Sequence, residues 1–387
     1  MRGPDTVKFR IDRDTLADAV GWTARSLPTR PSVPVLTGLL LETAGDELHL
    51  SGFDYDTSTR ATLPAEVRDE GKALVSGRLL AEIVRALPAG RPVDVIHDGT
   101  KVQVTCGSAR FSLQTMPVDE YPQLPDMPSS SGTVKADDFA TAVGQASAAA
   151  SRDEMLPLLT GIRLELEGST ISLMATDRFR ASLRDLEWYP EATDISARAL
   201  VPARVLSDTA KALTAGGDIT IAVSTSETGD GLIGFEGTVG GGVRRTTTRL
   251  LEGDFPRVRQ LFTAQAETVA YVGTQTLVDA VKRVALVAER NTPVRLTFSD
   301  GQVLLEAGSG DEAQASESVE ATIEGNDISI GFNPNYMLEG LSVMTEPVVH
   351  LSFTQHTKPA AMSGVAEVGA DPDGAFRYLI MPVRLQN

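Results

Sequence analysis

The chain has 387 residues, 42% of them hydrophobic, and a formal net charge of −17. That length and apolar content point to two or three domains with real cores, and the acidic balance argues against broad, tight nucleic-acid binding. No apolar run approaches a membrane span, the first residues Met1-Arg-Gly-Pro-Asp5 lack an apolar signal region, and the single cysteine, Cys106, excludes an internal disulfide, so a cytoplasmic location is expected.

The first predicted element is a helix carrying Leu16, Val20, Thr23 and Leu27 on one stripe. The same stripe returns as Phe139, Val143, Ala146 and Ala150, then as Leu277, Val281, Val284 and Ala288. These intervals are domain-sized, far longer than the roughly 20–50 residues of a solenoid repeat. One fold is therefore expected three times. A strand follows the first helix, Pro34-Val-Leu-Thr-Gly-Leu-Leu-Leu-Glu42, and recurs as Pro157-Leu-Leu-Thr-Gly-Ile-Arg-Leu-Glu165, with a worn copy at Pro293-Val-Arg-Leu-Thr-Phe298. A second helix carries Leu79, Leu80, Val84 and Leu87, then Val205, Leu206, Ala210 and Leu213, then Tyr336, Met337, Leu341 and Met344. An acid holds one place in it (Glu82, Asp208, Glu339), and Arg78, Arg204 and Asn335 precede the apolar pairs.

Between the helices, short alternating segments read as strands: 47–51, 92–96, 102–105, 170–174, 219–223, 303–306 and 348–353. Each unit closes on similar text, Met116-Pro-Val118, Leu250-Leu-Glu252 and Met381-Pro-Val383, and proline-bearing linkers follow the first two. The expected class is α+β, with two helices and many short strands per unit.

Basic residues gather at the repeated helices and their approaches: Arg25, Arg30, Arg78, Arg85, Arg152, Arg204, Lys211, Lys282, Arg283 and Arg290. A solvated helix face explains any one of them. The repeated position of Arg78 and Arg204 suggests instead a locally basic lining that touches phosphates weakly and salt-sensitively. Catalytic chemistry is not evident. His49, His97, His350 and His356 lack metal-ligand spacing, Cys106 has no evident His partner, Asp54 and Asp56 read as solvated turn acids, and Gly240-Gly-Gly242 reads as a hairpin tip. No metal or cofactor is expected.

The text Pro28-Thr-Arg-Pro-Ser-Val-Pro-Val-Leu36, Leu74-Val-Ser-Gly-Arg78, Ala175-Thr-Asp-Arg-Phe-Arg180, Asp254-Phe-Pro256 and Tyr378-Leu-Ile-Met-Pro-Val-Arg-Leu385 resembles the bacterial DNA polymerase sliding clamps, the beta subunit of DNA polymerase III, and most of all their actinobacterial members. The resemblance spans essentially the whole chain. It implies three clamp-fold domains, 1–128, 129–258 and 259–387, each with two helices and two small antiparallel sheets. It further implies a head-to-tail homodimer closing a ring. Duplex DNA would thread the ring without sequence readout. The implied role is a non-catalytic processivity factor for DNA polymerase III alpha subunit. A clamp loader, ligase, repair polymerases, mismatch-repair proteins and cyclic-peptide inhibitors are further implied partners.

The resemblance also carries site residues. A peptide pocket maps to Leu159, Thr176, Arg178, Phe179 and Arg180, to Pro256 and Leu261, to Asn333 and Tyr336, and to Met381, Pro382, Val383 and Arg384. Arg178 stands where a glycine is common, and Asn291 near a frequent aromatic. DNA contacts map to Arg30 and Arg78 and more loosely to Arg152 and Arg204; the subunit contact maps to Phe111, Leu113 and Leu286. Ala175–Arg180 departs from its counterpart Ser51-Gly-Phe-Asp-Tyr-Asp56, which suggests a site peculiar to the second unit. Three other readings remain open: a repeat-built enzyme on an acidic or nucleotide substrate, a clamp-fold peptide-binding scaffold, and an additional, inhibitor-resistant clamp copy.

Overall fold

Six α-helices form among the described residues, two in each sequence repeat: α1 Arg13–Arg25, α2 Gly77–Ala86, α3 Ala136–Ser147, α4 Ala203–Leu213, α5 Thr274–Val284 and α6 Pro334–Leu341. The structure is a computed structural model and describes residues 6–224, 231–288, 292–308 and 313–385. Arg290 and Asn291 lie outside the described residues. The apolar stripes explain the helices. Leu16, Val20 and Thr23 of α1, Phe139, Val143 and Ala146 of α3, and Leu277, Val281 and Val284 of α5 are all buried. The fourth members differ from expectation. Leu27, Ala150 and Ala288 fall beyond the helix ends, where Leu27 and Ala150 are still buried and Ala288 is half-buried. The stripe continues as packing after the helical backbone stops.

Two of the helix starts are locally encoded by side-chain caps. The Asp12 carboxylate accepts from the backbone N–H of Asp14 and Thr15 at 3.0 and 2.9 Å, which caps α1; these bonds, Thr15's foremost, hold its pKa below the ordinary carboxylate value. Asn333 caps α6 in the same way, with Pro334 at the first helical position. The repeated Pro-x-Leu-Thr-Gly text is only partly strand. Pro34–Thr37 and Pro157–Thr160 are 3-10 turns, and the strands begin at Gly38 and Gly161. Proline starts each turn, and the Thr37 and Thr160 hydroxyls donate back to the Pro34 and Pro157 carbonyls at 2.9 and 2.7 Å.

The seven short segments read between the helices are all strands; six run slightly longer than read and 348–353 has the bounds expected. Their ladders are antiparallel, but the sheets do not stop at the repeats. Strand Thr57–Pro64 pairs with Gly242–Arg249, and Arg180–Glu187 pairs with Phe376–Ile380. The outcome is a 14-stranded, a 9-stranded and a 4-stranded sheet in place of two small sheets per domain. The reason is edge satisfaction: an unpaired strand edge finds the edge of the next repeat. By contact density the chain divides into two compact units, Met1–Asp137 with Tyr189–Thr193 and Asp208–Leu250, and Asp138–Trp188 with Asp194–Ser207 and Leu251–Asn387. The first contains the 14-stranded sheet and the second the other two.

The core of the first unit joins Phe9, Leu16, Val20, Leu80, Val84 and Val104. Arg244 ties α1 to the Gly242–Arg249 strand: its guanidinium lies 5.2 Å from the Trp22 ring centre and pairs with Asp18. In the second unit Met174, Ala181, Leu183, Leu379, Phe255 and Val258 form a cluster in which the second linker covers the sheet. The predicted tip at Gly240 is a hairpin turn, with φ of 60° and 81° at Gly240 and Gly241.

Candidate functional site

Strands Thr170–Thr176 and Arg180–Glu187 are joined by three residues, Asp177-Arg178-Phe179. The Asp177 carboxylate accepts from the backbone N–H of Phe179 and Arg180 at 3.0 and 3.1 Å. Arg178 is forced to φ 81°, a left-handed conformation that glycine adopts freely and arginine does not. The Thr176 hydroxyl donates to the Arg180 carbonyl at 2.7 Å and closes the turn from inside. Position 178 is thus a glycine-like backbone site holding an arginine, and the turn projects Phe179 outward, 56% exposed.

Beside this turn Arg180 is 5% exposed and fully engaged. Its Nε donates to Asp177 at 2.9 Å, Nη1 pairs with Glu339 on α6, and Nη1 also reaches the Tyr378 hydroxyl at 3.3 Å. The guanidinium sits 4.5 Å from the Tyr336 ring centre, and the Phe179 ring stacks on Tyr336 at 6.1 Å. Burial works against the Arg180 charge, but Tyr378, Glu339 and Asp177 outweigh it and hold its pKa above the ordinary value. Burial also raises the pKa of Tyr336, with Asp177 adding to it, and raises that of Tyr378, so both phenols stay neutral. The Tyr378 hydroxyl donates to the Tyr336 carbonyl at 2.8 Å. A locked cationic hub thus supports an aromatic pair at the surface.

These groups line a cleft of about 670 Å³ with Ser151, Arg152, Leu156 and Leu338. That volume lies within the ~300–1,000 Å³ typical of ligand pockets. Arg178, Phe179, Arg180 and Tyr336, all named from sequence, meet there. Met381 is 37% exposed and is bound to the turn by its N–H to the Phe179 carbonyl at 2.8 Å. Pro382, Val383 and Arg384 continue from it, and Val383 N–H donates to the Gly331 carbonyl. The remaining expected residues do not line this cleft. Leu159 is buried, Thr176 closes the turn and Asn333 caps α6, while Pro256 and Leu261 lie exposed on the second linker. Asp177 and Glu339 were not foreseen. The signal for Glu339 was present: it is the acid repeated in every second helix.

The expected departure of Ala175–Arg180 from Ser51–Asp56 needs a register correction. The structural counterpart of Asp177 is Asp54, one residue along. Asp54 accepts from Asp56 and Thr57 N–H, with Tyr55 at φ 78°. Asp54 is half-buried rather than solvated, because its carboxylate serves the turn.

Arg30, Arg78, Arg152 and Arg204, expected along a DNA path, are all exposed. Arg152 and Arg204 border a second cleft of about 490 Å³ with Ser147, Ser151 and Ser207. Arg152 also pairs with Glu339 at 3.2 Å, so it belongs to both clefts. Arg78 donates to the Leu27 carbonyl at 3.3 Å. Arg78 and Arg204 are each the second residue of their helices, α2 and α4, where the helix dipole disfavours a cation by about 0.3–1 kcal/mol. The backbone N–H groups there favour phosphate.

For the subunit contact, Phe111 is 38% and Leu286 84% exposed, but Leu113 is 2% exposed and belongs to the first unit's core. The reason is packing along one face. Leu113 and Phe111 lie on the same side of strand Ala109–Met116, opposite Val102 and Val104, but only Leu113 is covered by the core. Among the described residues, that strand pairs along 109–114 on one side only, with Lys101–Cys106, and strand Ala315–Glu320 pairs only with Gln302–Ala307.

Among the described residues no group of three or more His, Cys, Asp or Glu side chains could hold a metal, and no helix is long and apolar enough to cross a membrane.

Comparison with known proteins completes the picture. Residues 7–125, 133–257 and 259–384 match the N-terminal, central and C-terminal domains of the DNA polymerase III beta subunit. The beta sliding clamp of Streptomyces coelicolor is 57% identical over 379 residues, 98% of this chain and 100% of that one. The beta sliding clamp homolog GriR of Streptomyces muensis is 44% identical over 378 residues, 98% and 99% of the two chains. The crystal structure of the DNA polymerase sliding clamp from Bacillus subtilis superposes with a TM-score of 0.88 at 26% identity, covering 98% of this chain and 100% of that one. Three consecutive domain matches and a full-length relative at this identity place the chain in the DNA polymerase III beta subunit family, the bacterial sliding clamps.

Proposed function

We propose that this chain is a cytoplasmic processivity clamp: two copies close head to tail around duplex DNA, and the cleft over Phe179 and Tyr336 receives peptide segments of DNA polymerase III alpha subunit and of other replication and repair proteins. A chain of this family is an accessory subunit, not a catalyst. Its clamp domains are taken as 1–128, 129–258 and 259–387. The observation that carries the proposal is the cleft itself. An exposed phenylalanine is held by an over-determined turn and stacked on a tyrosine that a buried arginine fixes. Such a rigid apolar anchor with polar neighbours suits a short peptide's Leu- or Phe-like end, and the adjacent Met381 can adapt to different sequences. The same cleft is where cyclic-peptide inhibitors would compete.

Ring closure is supported by the two open strand edges, Ala109–Gln114 and Ala315–Glu320, and by exposed Phe111 and Leu286. Pairing one edge with the other in a second copy would satisfy both. DNA contact is supported by Arg78 and Arg204, cations placed where the helix dipole opposes them unless a phosphate is present.

Calorimetry with a peptide ending in a Gln and Leu-Phe-like motif tests the pocket. Micromolar affinity, about −8 kcal/mol, is expected for the native chain. Met381→Asp should abolish it while light scattering still reads twice the 41.1 kDa chain mass. Equal affinity in both proteins would refute the pocket. On DNA, Arg204→Glu should lower the slope of log affinity against log salt by about one unit per lost phosphate contact. An unchanged slope would remove Arg204 from the path.

A further inference from the structure

Where strand Thr57–Pro64 meets strand Gly242–Arg249, Arg60 lies directly opposite Arg245 and Ser58 directly opposite Thr247. All four share one face, and the first linker crosses it with Leu124, Pro125 and Asp126. Together they enclose a cleft of about 180 Å³. Like charges directly opposite in an antiparallel ladder are destabilising. Arg245 is relieved by Glu236 on its other side, to which its Nε donates at 2.7 Å. Arg60 has no such relief. Among the described residues it has neither ion pair nor hydrogen bond, and its Nε is fully buried without a partner. A buried donor left unmade costs about 1–3 kcal/mol, more when charged.

We propose that this cleft binds a single tetrahedral oxyanion, a phosphate group, held by the guanidiniums of Arg60 and Arg245 and the hydroxyls of Ser58 and Thr247. Four observations support it. The Arg60 donors are unspent. Ser58 and Thr247 are buried at 5% and 2% exposure, with no hydrogen bond recorded for either hydroxyl among the described residues. The volume is below the ~300–1,000 Å³ of pockets for larger ligands, which limits the occupant to one anionic group. The charge of Arg60 is also felt locally: after burial, it is the next largest influence holding the His49 pKa below its ordinary value. The one carboxylate lining the cleft, Asp126, is exposed, so water screens its competition.

The second junction is lined differently. There Ala181 lies opposite Leu379 and Leu183 opposite Arg377, and Phe255 and Val258 of the second linker seal an apolar cluster. Arg377 also has a buried Nε without a partner, but its Nη2 pairs with Asp185 at 3.4 Å and its guanidinium lies over the Phe262 ring, whereas Arg60 has neither. At the first junction the equivalent sheet positions carry hydroxyls and a second arginine, so the linker there covers a polar cleft.

The test is titration calorimetry of the full-length protein with inorganic phosphate at ionic strength fixed by chloride. A saturable site is expected, weakened at least tenfold by Arg60→Gln and by Arg245→Gln, and tightened by Asp126→Asn. Ribose 5-phosphate in a second arm distinguishes sources. Equal affinity indicates the free anion, and tighter binding indicates a phosphomonoester. Thr247→Val, which leaves both charges in place, should weaken binding a few-fold and covers the case in which Arg60→Gln fails to fold. No saturable binding, or binding that none of these substitutions alters, overturns the proposal.

Discussion

The hairpin turns at Asp54–Asp56 and Asp177–Phe179 have one backbone and two uses. In both, an aspartate carboxylate accepts two N–H groups from ahead of it, and its own N–H donates to the carbonyl three residues on. In both, the next residue is a non-glycine at φ near 80°. The difference lies in two side chains. In the first turn Tyr55 packs edge-on against Phe53 at 5.7 Å, and Thr57 shares a hydroxyl hydrogen bond with Thr248 at 2.9 Å. In the second the aromatic stands one place later, as Phe179, and Thr57 is replaced by Arg180. Moving the ring by one residue turns it from its own strand toward Tyr336. Putting an arginine at the strand start draws in Asp177, Glu339 and Tyr378. A shared frame supplies the strain and the position, and two side-chain differences supply the aromatic pair and its cationic support.

This comparison can be broken most directly at its largest difference. Arg180→Met should cost about 3 kcal/mol in urea unfolding, because it removes the buried cation that Asp177 and Glu339 share; partial exposure of Glu339 and its second partner Arg152 keep it at the low end for a broken buried pair. The equivalent change in the first turn, Thr57→Val, removes one hydroxyl bond and should cost about 1 kcal/mol. Equal costs would mean that Arg180 is not the hub. Next in size is recognition: Phe179→Ala should weaken peptide binding by roughly tenfold or more, about 1.4 kcal/mol, while Asp56→Ala leaves it unchanged in the same calorimetric assay.

Smaller effects sharpen the shared frame. Arg178→Gly relieves a left-handed arginine worth about 1–2 kcal/mol and adds roughly 0.4–1 kcal/mol of unfolded-chain entropy, so a net gain of about 0.5 kcal/mol is expected in thermal unfolding. Tyr55→Gly gains the same relief but loses the Phe53 contact, about 0.5–1.5 kcal/mol, and should end near or below zero. If both gain equally, the ring contact in the first turn carries nothing. The smallest effect is pH-dependent. Burial raises the pKa of Asp54 above its unfolded value, so its contribution is full below that unfolded value and is lost as pH rises through the folded one. Melting curves between pH 4 and 7 should show this loss, and Asp54→Asn should flatten it while keeping the turn bonds.

Sequence alone determined the threefold repeat, both helices of each repeat, the strand segments and the family, because these rest on local periodicity and contiguous text. Phe179, Arg180, Tyr336 and Met381 were legible as candidate site residues through the family resemblance, joined for Phe179 and Arg180 by the local divergence of the second repeat; their stacking and ion pairing were not. Tertiary structure decided the rest. Leu113 turned out to be core because packing covers that part of its sheet face and leaves Phe111, two residues away on the same face, exposed. Asp177 and Glu339 became partners of Arg180 only once α6 was packed beside the hairpin. The sheets ran across the repeats, since which edge meets which depends on chain paths that no local segment encodes. The charged seam of Arg60 and Arg245 was invisible for the same reason: residues far apart in sequence face each other only after the ladder between two repeats has formed.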